Sequence, residues 1–328
     1  MRKHSAVPSA PRRIPSPPLT YSIVARDPSS GELGVAVQSH FFGVGSVVSW
    51  AEAGVGAVAT QSLVEPAFGP RGLELMRDGS SAPAALQQMI ESDEGEAVRQ
   101  VALVDGGGRV AVHTGMRCIA HAGHALGEQV SAQANMMERD TVPRAMILAY
   151  SESSGQPLSE RLLGALEAAE GEGGDIRGRQ SAAMVVVAAR PAGSPTRDRP
   201  VDLRVEDHAD PVGELRRLLG LERAYAHASA GDDLAGAGDL AGALVEYEAA
   251  HRAEPDNLEL TFWYGLALAG NGREEEAVRV LQRPFQAHPG WVELLKRLPA
   301  AGLFPDDPEL IGRLAGTRAV SEPAEPPT

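Results

Sequence analysis

Hydrophobic and polar positions alternate in two short runs near the beginning of the chain, over 21–26 and 33–38. Between them lies DPSSGE, a segment of turn-forming residues. A period of two residues is typical of β-strands, so the pattern predicts a β-hairpin with strands over 20–26 and 33–39. The hairpin begins abruptly at Thr20, because no periodic pattern precedes it.

Strands and helix pairs are predicted in alternation as far as about residue 190. A strand over 54–62 precedes helices over 69–77 and 82–92. Two strands around the glycine-rich turn at 105–108, and a third within 128–137, precede helices over 140–152 and 157–170; a strand over 181–189 follows. This order favours an α+β fold in which helices pack on antiparallel sheets, rather than a βαβ alternation.

The C-terminal part of the chain contains a repeat. After a Pro/Gly/Ser-rich connection at 190–200, one strand leads into an alanine-rich helical region. Four pairs of residues are separated by 34 positions: Gly231 and Gly265, Gly238 and Gly272, Ala243 and Ala277, Pro255 and Pro289. That is the tetratricopeptide period, so we predict an all-α tetratricopeptide-like module over 212–318.

Two features set this module apart from a regular array. Pro284 falls inside a predicted helix, where it should produce a kink. Two repeats are fewer than the three that normally fold alone, so they are expected to pack on the first domain or on flanking helices. Residues 319–328 are expected to form a disordered tail.

Composition restricts the kinds of partner that the protein is expected to bind and its expected cellular location. A net charge of −14 argues against nucleic-acid binding and against docking on an anionic membrane. No apolar run reaches the roughly 18 residues that a membrane span needs. Cys118 is the only cysteine, so no internal disulfide can form, and the cytoplasm is the expected location. We also expect a homo-oligomer.

Thr20 carries the candidate chemistry. An N-terminal threonine has its own base, the α-amine, whose ordinary pKa of about 7.7–8 lies close to neutral pH. The hydroxyl could then attack an amide carbonyl while the amine moves the proton. A threonine is also an ordinary β-branched residue for the start of a strand, and the hairpin alone leaves both interpretations open.

Three segments carry a family resemblance: TYSIVARDPSSGELGVAVQSHFFGVGSVVSWAEAGVGAVATQS, SAQANMM and GGDIRGRQSAA. Together they resemble the uncharacterised bacterial family called domain of unknown function 1028, over roughly 20–215. The resemblance implies a four-layer αββα sandwich of the N-terminal nucleophile hydrolase type, predicted here over 20–200. The region 216–300 resembles an extension that part of the family carries and to which peptidoglycan binding is attributed.

The chain departs from this family in having residues 1–19 before Thr20. Their proline-rich sequence has no signal-peptide core and predicts a disordered leader. Two routes would place Thr20 first: cleavage of the leader, or initiation at an alternative start codon for Leu19, which would make residues 1–19 a misannotated start. If neither applies, the nucleophile is blocked.

The resemblance also suggests supporting catalytic residues. His40 follows the second strand and is a candidate base, although a structural histidine fits equally well. Asn135 is a candidate oxyanion donor. Asp175 resembles the acidic residue that supports the nucleophile's ammonium group in related hydrolases. For each residue, a role in capping, in a turn or in a salt bridge remains an alternative.

Substrate-binding candidates lie nearby in the predicted fold. Ser39 and Gln61 end the second and third predicted strands. Arg177 and Arg179 could hold a substrate carboxylate through a bidentate contact. No metal and no cofactor is expected, because the H-x-x-H motif of His121 and His124 is interrupted by glycine and does not fit a helical zinc site.

Two functional hypotheses follow. In the first, the protein is an amidohydrolase that cleaves an amide C–N bond of a small-molecule or peptide-like substrate through Thr20. In the second, the sandwich is catalytically inactive and the helical repeats bind a protein or cell-wall partner.

Overall fold

The computed structural model describes residues 20–316, so the predictions for 1–19 and 319–328 lie outside the described residues. The chain divides into two compact units between Leu218 and Leu219. The described part of the first unit contains ten strands: β1 (Thr20–Arg26), β2 (Leu33–Ser39), β3 (Ser49–Glu52), β4 (Gly56–Ser62), β5 (Arg99–Asp105), β6 (Val110–Thr114), β7 (Gly123–Gly127), β8 (Val130–Ala134), β9 (Ser181–Val187) and β10 (Val201–Val205).

Five helices belong to the first unit: α1 (Phe68–Arg77), α2 (Ala82–Glu91), α3 (Val142–Glu152), α4 (Leu158–Gly171) and the short α5 (Pro195–Asp198). Helix α6 (Pro211–Gly236) crosses the boundary between the units. The second unit continues with α7 (Leu240–Ala253), α8 (Leu258–Gly270), α9 (Glu274–Ala287), α10 (Gly290–Arg297) and α11 (Pro308–Leu314).

The strands form two antiparallel sheets. The first sheet has the order β10-β9-β2-β1-β8-β7, and the second has the order β3-β4-β5-β6. Helices α3 and α4 pack on the first sheet, and α1 and α2 pack on the second, while β1 and β2 face β4. The α+β prediction and the four-layer αββα sandwich are therefore confirmed.

Apolar side chains fill most of the space between the sheets. Val35, Val37 and Val185 of the first sheet pack against Ala59 and Ala102 of the second, all essentially inaccessible to solvent. Successive residues of a strand point to opposite faces, so every second residue of these strands lies in this layer. The same alternation continues to the ends of the strands, where the inward positions become polar.

The sequence analysis predicts one strand after residue 200 but ends the sandwich domain at 200, and the structure places that strand in the first sheet. Strand β10 lies beyond residue 200 and pairs with β9, from Val201 opposite Val186 to Val205 opposite Ala182. Strands β3 and β7 are absent from the sequence predictions. Strand β3 has only four residues, SWAE, and β7 has the sequence GHALG with no buried position, so neither offers a run of alternating apolar and polar residues that would mark a strand.

The 34-residue repeat corresponds to two helix pairs. Helices α6 and α7 form the first pair, and α8 and α9 form the second. The turn before the second helix of each pair contains a glycine with positive φ, Gly238 at 85° and Gly272 at 75°, a region that other residues rarely adopt. Pro284 lies inside α9, as predicted, and is buried. The helical module is therefore confirmed as tetratricopeptide-like.

Candidate functional site

Thr20 is the first residue of β1, and its side chain is fully buried. Its Oγ1 donates a hydrogen bond to Oγ of Ser39 at 3.2 Å. Ser39 ends β2 and is the cross-strand partner of Thr20 in the antiparallel pair. The β1–β2 hairpin therefore brings together two hydroxyl groups that are 19 residues apart in the chain.

The carbonyl oxygen of Thr20 is also held from two directions. Nε2 of Gln61 donates to it at 3.1 Å from the second sheet. The main-chain N–H of Asn135 donates at 3.1 Å from the end of β8, and Nδ2 of the same residue lies 3.4 Å away. These contacts fix the position of the Thr20 backbone at the end of the sandwich.

Five buried polar residues surround this end of β1, and we call them the amide cluster: Ser22, Gln61, Gln100, Gln133 and Asn135. Oγ of Ser22 donates to Oε1 of Gln61 at 2.6 Å and accepts from Nε2 of Gln133 at 2.5 Å. Oε1 of Gln100 accepts from Gln61 at 2.7 Å and from Asn135 at 2.9 Å. The cluster therefore joins the two sheets.

Strand register explains why these residues meet. Ser22 lies opposite Gln133 in the β1–β8 pair, and Gln61 lies opposite Gln100 in the β4–β5 pair. All four side chains point into the space between the two sheets. The residues two positions away on the same strands share this face and are also buried. Glutamine and serine therefore occupy the inward positions at one end of the inter-sheet layer, whereas alanine and valine occupy them elsewhere.

Among the described residues, two buried side-chain amides have atoms without a hydrogen-bond partner. Oδ1 of Asn135 has no hydrogen-bond partner, although Nδ2 of the same group is engaged twice. Neither amide atom of Gln38 has one. Gln38 pairs with Tyr21 in the β1–β2 ladder, so its side chain lies on the opposite face of the sheet from Thr20. Unpartnered buried polar atoms are uncommon, and these two amides are therefore of functional interest.

Asp175 is the centre of a second polar group. Its buried carboxylate accepts the main-chain N–H of His40 at 3.1 Å and the N–H of Arg177 at 2.9 Å. It also holds the Arg177 guanidinium, at 3.0 Å from Nε and 2.7 Å from Nη2. The His40 side chain is exposed. Asp175 therefore fixes the loop after β2 against the segment before β9.

Arg179 belongs to a third group on the helix-covered face of the first sheet. Its guanidinium pairs with Glu170 of α4, and Nη1 lies 3.4 Å from Asp210. The Tyr21 hydroxyl donates to the same Glu170 carboxylate. Burial of the phenol and the adjacent Glu170 charge raise the pKa of Tyr21 well above its ordinary value. The residue next to Thr20 is thus anchored to α4.

The predicted site residues consequently fall into three sets. Thr20, Ser39, Gln61 and Asn135 share one hydrogen-bonded assembly. His40 and Arg177 are gathered around Asp175. Arg179 lies apart, and both arginines contact protein carboxylates.

Sequence reasoning did not identify Ser22, Gln100 and Gln133 of the amide cluster, nor Tyr21 and Glu170 beside it. A signal was present in the sequence, because glutamine or serine at an inward position of an otherwise apolar strand is unusual.

Neither a metal centre nor a membrane span is found in the part of the chain that is described. Between residues 20 and 316, no three or more His, Cys, Asp or Glu side chains are arranged to hold a metal ion. Nδ1 of His121 contacts the Met137 carbonyl at 3.0 Å, whereas Nδ1 of His124 contacts Oγ1 of Thr114 at 2.9 Å. No helix in this range has the length and apolar character required to cross a bilayer.

The second unit contains a groove with a volume of about 880 Å³. Trp263, Leu240 and Leu303 contribute apolar surface to it, and Asp232 and Glu259 contribute acidic groups. Leu240 and Leu303 are exposed large apolar side chains, at 48% and 63% of their full accessibility. Apolar side chains with a few acidic groups are suited to an apolar segment that carries positive charge.

Comparisons with known proteins agree with this architecture. The model of a family of unknown function, DUF1028, matches residues 20–215, and a tetratricopeptide repeat model matches residues 234–301. No match was found among curated proteins. A solved structure, protein SPO2555 from Silicibacter pomeroyi, is described as a DUF1028 protein and is 33% identical. The match has a TM-score of 0.55 and covers 61% of this chain and 88% of that one.

The family model begins at Thr20, the first residue of β1, and ends five residues into α6. It therefore spans both sheets and helices α1 to α5, including the amide cluster and the Asp175 group. Because this match covers more than half of the chain, the protein belongs to the DUF1028 family.

Proposed function

We propose that the protein is an amidohydrolase in which Thr20, once it is the first residue of the chain, acts as the nucleophile. The Thr20 hydroxyl attacks the carbonyl carbon of an amide, and the α-amine accepts the hydroxyl proton. The C–N bond then breaks, and the departing amine takes up that proton. Water hydrolyses the resulting ester, which releases the acid and restores the hydroxyl.

One observation carries this proposal: hydrogen bonds from both sheets converge on a single threonine at the beginning of the first strand. The rest of the inter-sheet layer is largely apolar, whereas Thr20 contacts Ser39, Gln61 and Asn135. A buried polar assembly costs stability unless it is well satisfied, and this one fixes the Thr20 main chain through its carbonyl oxygen and the hydroxyl through Ser39, which favours a role in chemistry for that residue. Preorganised donors of this kind are what acyl transfer requires.

The neighbouring residues receive the following roles. Ser39 accepts from the Thr20 hydroxyl and orients it. The Asp175 carboxylate accepts the main-chain N–H of His40 and so holds the loop that contains it. The Arg177 guanidinium donates to the same carboxylate. The substrate is a small-molecule or peptide-like amide whose acyl carbon reaches Oγ1 at this end of the sandwich.

An active-site probe tests the proposal without a known substrate. The chain from Thr20 to Thr328 retains every strand and helix described, and it can be produced with an initiating methionine that is then trimmed. We expect a β-lactone, which acylates a hydroxyl, to label this form and the Thr20→Ser variant, as read by intact mass. Thr20→Ala and the full-length chain should react at least about 100-fold more slowly, because they lack the hydroxyl or the free amine.

Thr60→Ala is the matched control, since Thr60 of β4 is equally buried but its hydroxyl donates to the carbonyl of Glu65, in the connection between β4 and α1. It should keep the labelling rate of the trimmed wild type. Equal labelling of Thr20→Ala and the trimmed wild type would eliminate Thr20 as the nucleophile.

A second candidate function rests on the groove of the helical unit. Its exposed Leu240 and Leu303, with Asp232 and Glu259 beside them, favour binding of an apolar, basic segment of a partner protein. This function requires no chemistry at Thr20. Absence of labelling in every form of the chain would leave it as the preferred function.

A further inference from the structure

We infer that Oδ1 of Asn135 accepts a hydrogen bond from the freed α-amine of Thr20 and thereby orients the base of the reaction. Asn135 is then a positioning residue, rather than the oxyanion donor that the sequence suggested. This inference rests on the proposed function, because it concerns the form of the chain that begins at Thr20.

The direction of the amine follows from the strand geometry. In an antiparallel pair, the N–H and the C=O of one residue point toward the same neighbouring strand. The Thr20 carbonyl accepts the main-chain N–H of Asn135 at 3.1 Å, and the main-chain N–H of Arg26 donates to the main-chain carbonyl of Gln129 in the same pairing pattern at 2.9 Å. The Thr20 nitrogen therefore also points toward Asn135, and an ammonium group there has three N–H groups to share between the main-chain carbonyl and Oδ1 of that residue.

The side chain of Asn135 has one atom left for such a contact. Its Nδ2 lies 2.9 Å from Oε1 of Gln100 and 3.4 Å from the Thr20 carbonyl. Its Oδ1 is buried and lacks a donor. A buried carbonyl oxygen without a donor is unfavourable, so an ammonium group on Thr20 would supply what the folded chain lacks.

The other side-chain oxygens of the amide cluster are already engaged. Oε1 of Gln61 accepts from Ser22, and Oε1 of Gln100 accepts from two amides. Oε1 of Gln133 accepts from Ser131 at 3.0 Å. Asp175 is engaged by Arg177 and by the His40 main chain. Oδ1 of Asn135 is thus the acceptor in the cluster that remains open.

A neutral acceptor suits a base that must lose its proton near neutral pH. A carboxylate at the same place would hold the ammonium form and raise the pKa of the amine. Charged and titratable groups on the elements around this end of β1 are Tyr21, His40, Asp93, Arg99, His113, Cys118, His121, His124, Glu138, Glu170, Asp175, Arg177 and Arg179. All are common to the wild type and the Asn135 variants, so a difference between them reports on position 135.

The test measures the pKa of the Thr20 α-amine in the chain that begins at Thr20, from the ¹⁵N chemical shift of selectively labelled threonine. In Asn135→Asp, the introduced carboxylate should raise this pKa by about 1 to 3 pH units. In Asn135→Ala, the ammonium loses its acceptor, and the pKa should fall. The rising limb of the β-lactone labelling rate should move with pH in the same directions.

Gln133→Ala is the matched control, because it also removes an amide from the cluster but leaves the Asn135 oxygen in place. Its amine pKa should equal that of the wild type. An amine pKa that changes in neither Asn135 variant would overturn the inference. Because the ¹⁵N measurement needs no turnover, failure of the wild type to react with the lactone would count against the nucleophile and not against the Asn135 contact.

Discussion

Gln100 and Gln38 are both fully buried glutamines, yet their amides have opposite surroundings. Nε2 of Gln100 donates to Oγ1 of Thr114 at 3.0 Å and to the carbonyls of Gly123 at 3.1 Å and Ala134 at 3.0 Å. Its Oε1 accepts from two amides of the cluster. The Gln38 amide has no hydrogen-bond partner. Burial alone therefore does not say what a polar side chain contributes to stability.

Leucine substitutions at these two positions should have opposite effects. Gln100→Leu leaves several buried donors and acceptors unpaired and should lower the free energy of unfolding by roughly 2–5 kcal/mol. Gln38→Leu removes an unsatisfied amide at nearly constant volume and should be neutral or stabilising by about 1 kcal/mol. Urea denaturation of both variants measures the difference. Similar destabilisation by both would contradict the hydrogen-bond assignments.

The sequence identified only part of the site at this scale. Thr20 and Gln61 were proposed from the beginning and the end of predicted strands, and Asn135 from the SAQANMM segment that resembles the family. Gln100 and Gln133 were not, because their positions opposite Gln61 and Ser22 depend on strand register. Register between strands far apart in sequence follows from tertiary packing, which local alternation does not contain.

At the scale of elements, the 34-residue repeat reflects a close packing contact between the two helices of each pair. A Cβ atom at Gly231 in α6 would lie 3.0 Å from the Tyr247 ring of α7. A Cβ atom at Gly265 in α8 would lie 2.6 Å from Leu281 of α9. Both glycines therefore allow the second helix of a pair to approach the first. The repeat was visible in the sequence because its small residues are fixed by this approach, which recurs at the same spacing.

Gly265→Ala should destabilise the second unit by about 1–3 kcal/mol, since Leu281 is fully buried and cannot move away from the new methyl group. Gly270→Ala, in the same helix but with no atom near its Cβ position, should instead stabilise by up to about 1 kcal/mol through helix propensity. Thermal unfolding followed by circular dichroism compares the two. A gain of stability in Gly265→Ala would contradict the claim that a close helix–helix contact requires glycine at this position of the repeat.

Elements with weak patterns were the ones missed. Strands β3 and β7 lie at edges of their sheets, where one side is unpaired; β3 has only four residues, and β7 has no buried side chain. A half-exposed edge strand has little need for alternation, so its sequence resembles that of a loop. The central strands were predicted well, because burial on both sides constrains every residue.

At the scale of the whole molecule, the ionisable groups of the basic pH range are mostly tyrosines. The chain has five tyrosines but only two lysines, Lys3 and Lys296. Burial raises the pKa of all five phenols, and that of Tyr150 rises to about 12. Tyr150 is almost inaccessible, and its ring lies 3.8 Å from the Arg161 guanidinium carbon. Tyrosine ionisation should therefore govern unfolding in alkali.

The sign of the effect follows from proton linkage. A phenol with a raised pKa in the folded state stays protonated when the unfolded chain, with a pKa of about 10, has begun to ionise. Its contribution to stability is therefore fully present below about pH 10. Above that pH, each such phenol should cost roughly 1.4 kcal/mol of unfolding free energy per pH unit, until its folded-state pKa is reached.

Tyr150→Phe should separate this effect from other causes of alkaline unfolding. Its hydroxyl has no hydrogen-bond partner, so the variant should be at least as stable as the wild type at pH 7, and phenylalanine keeps the ring over Arg161. Above about pH 10, the slope of stability against pH should be roughly halved, because Tyr21 and Tyr150 are the two tyrosines of the first unit. Urea unfolding followed by Trp50 fluorescence, with Trp263 and Trp291 replaced by phenylalanine, reports on that unit. Identical slopes in the wild type and in Tyr150→Phe would show that this phenol does not ionise on unfolding.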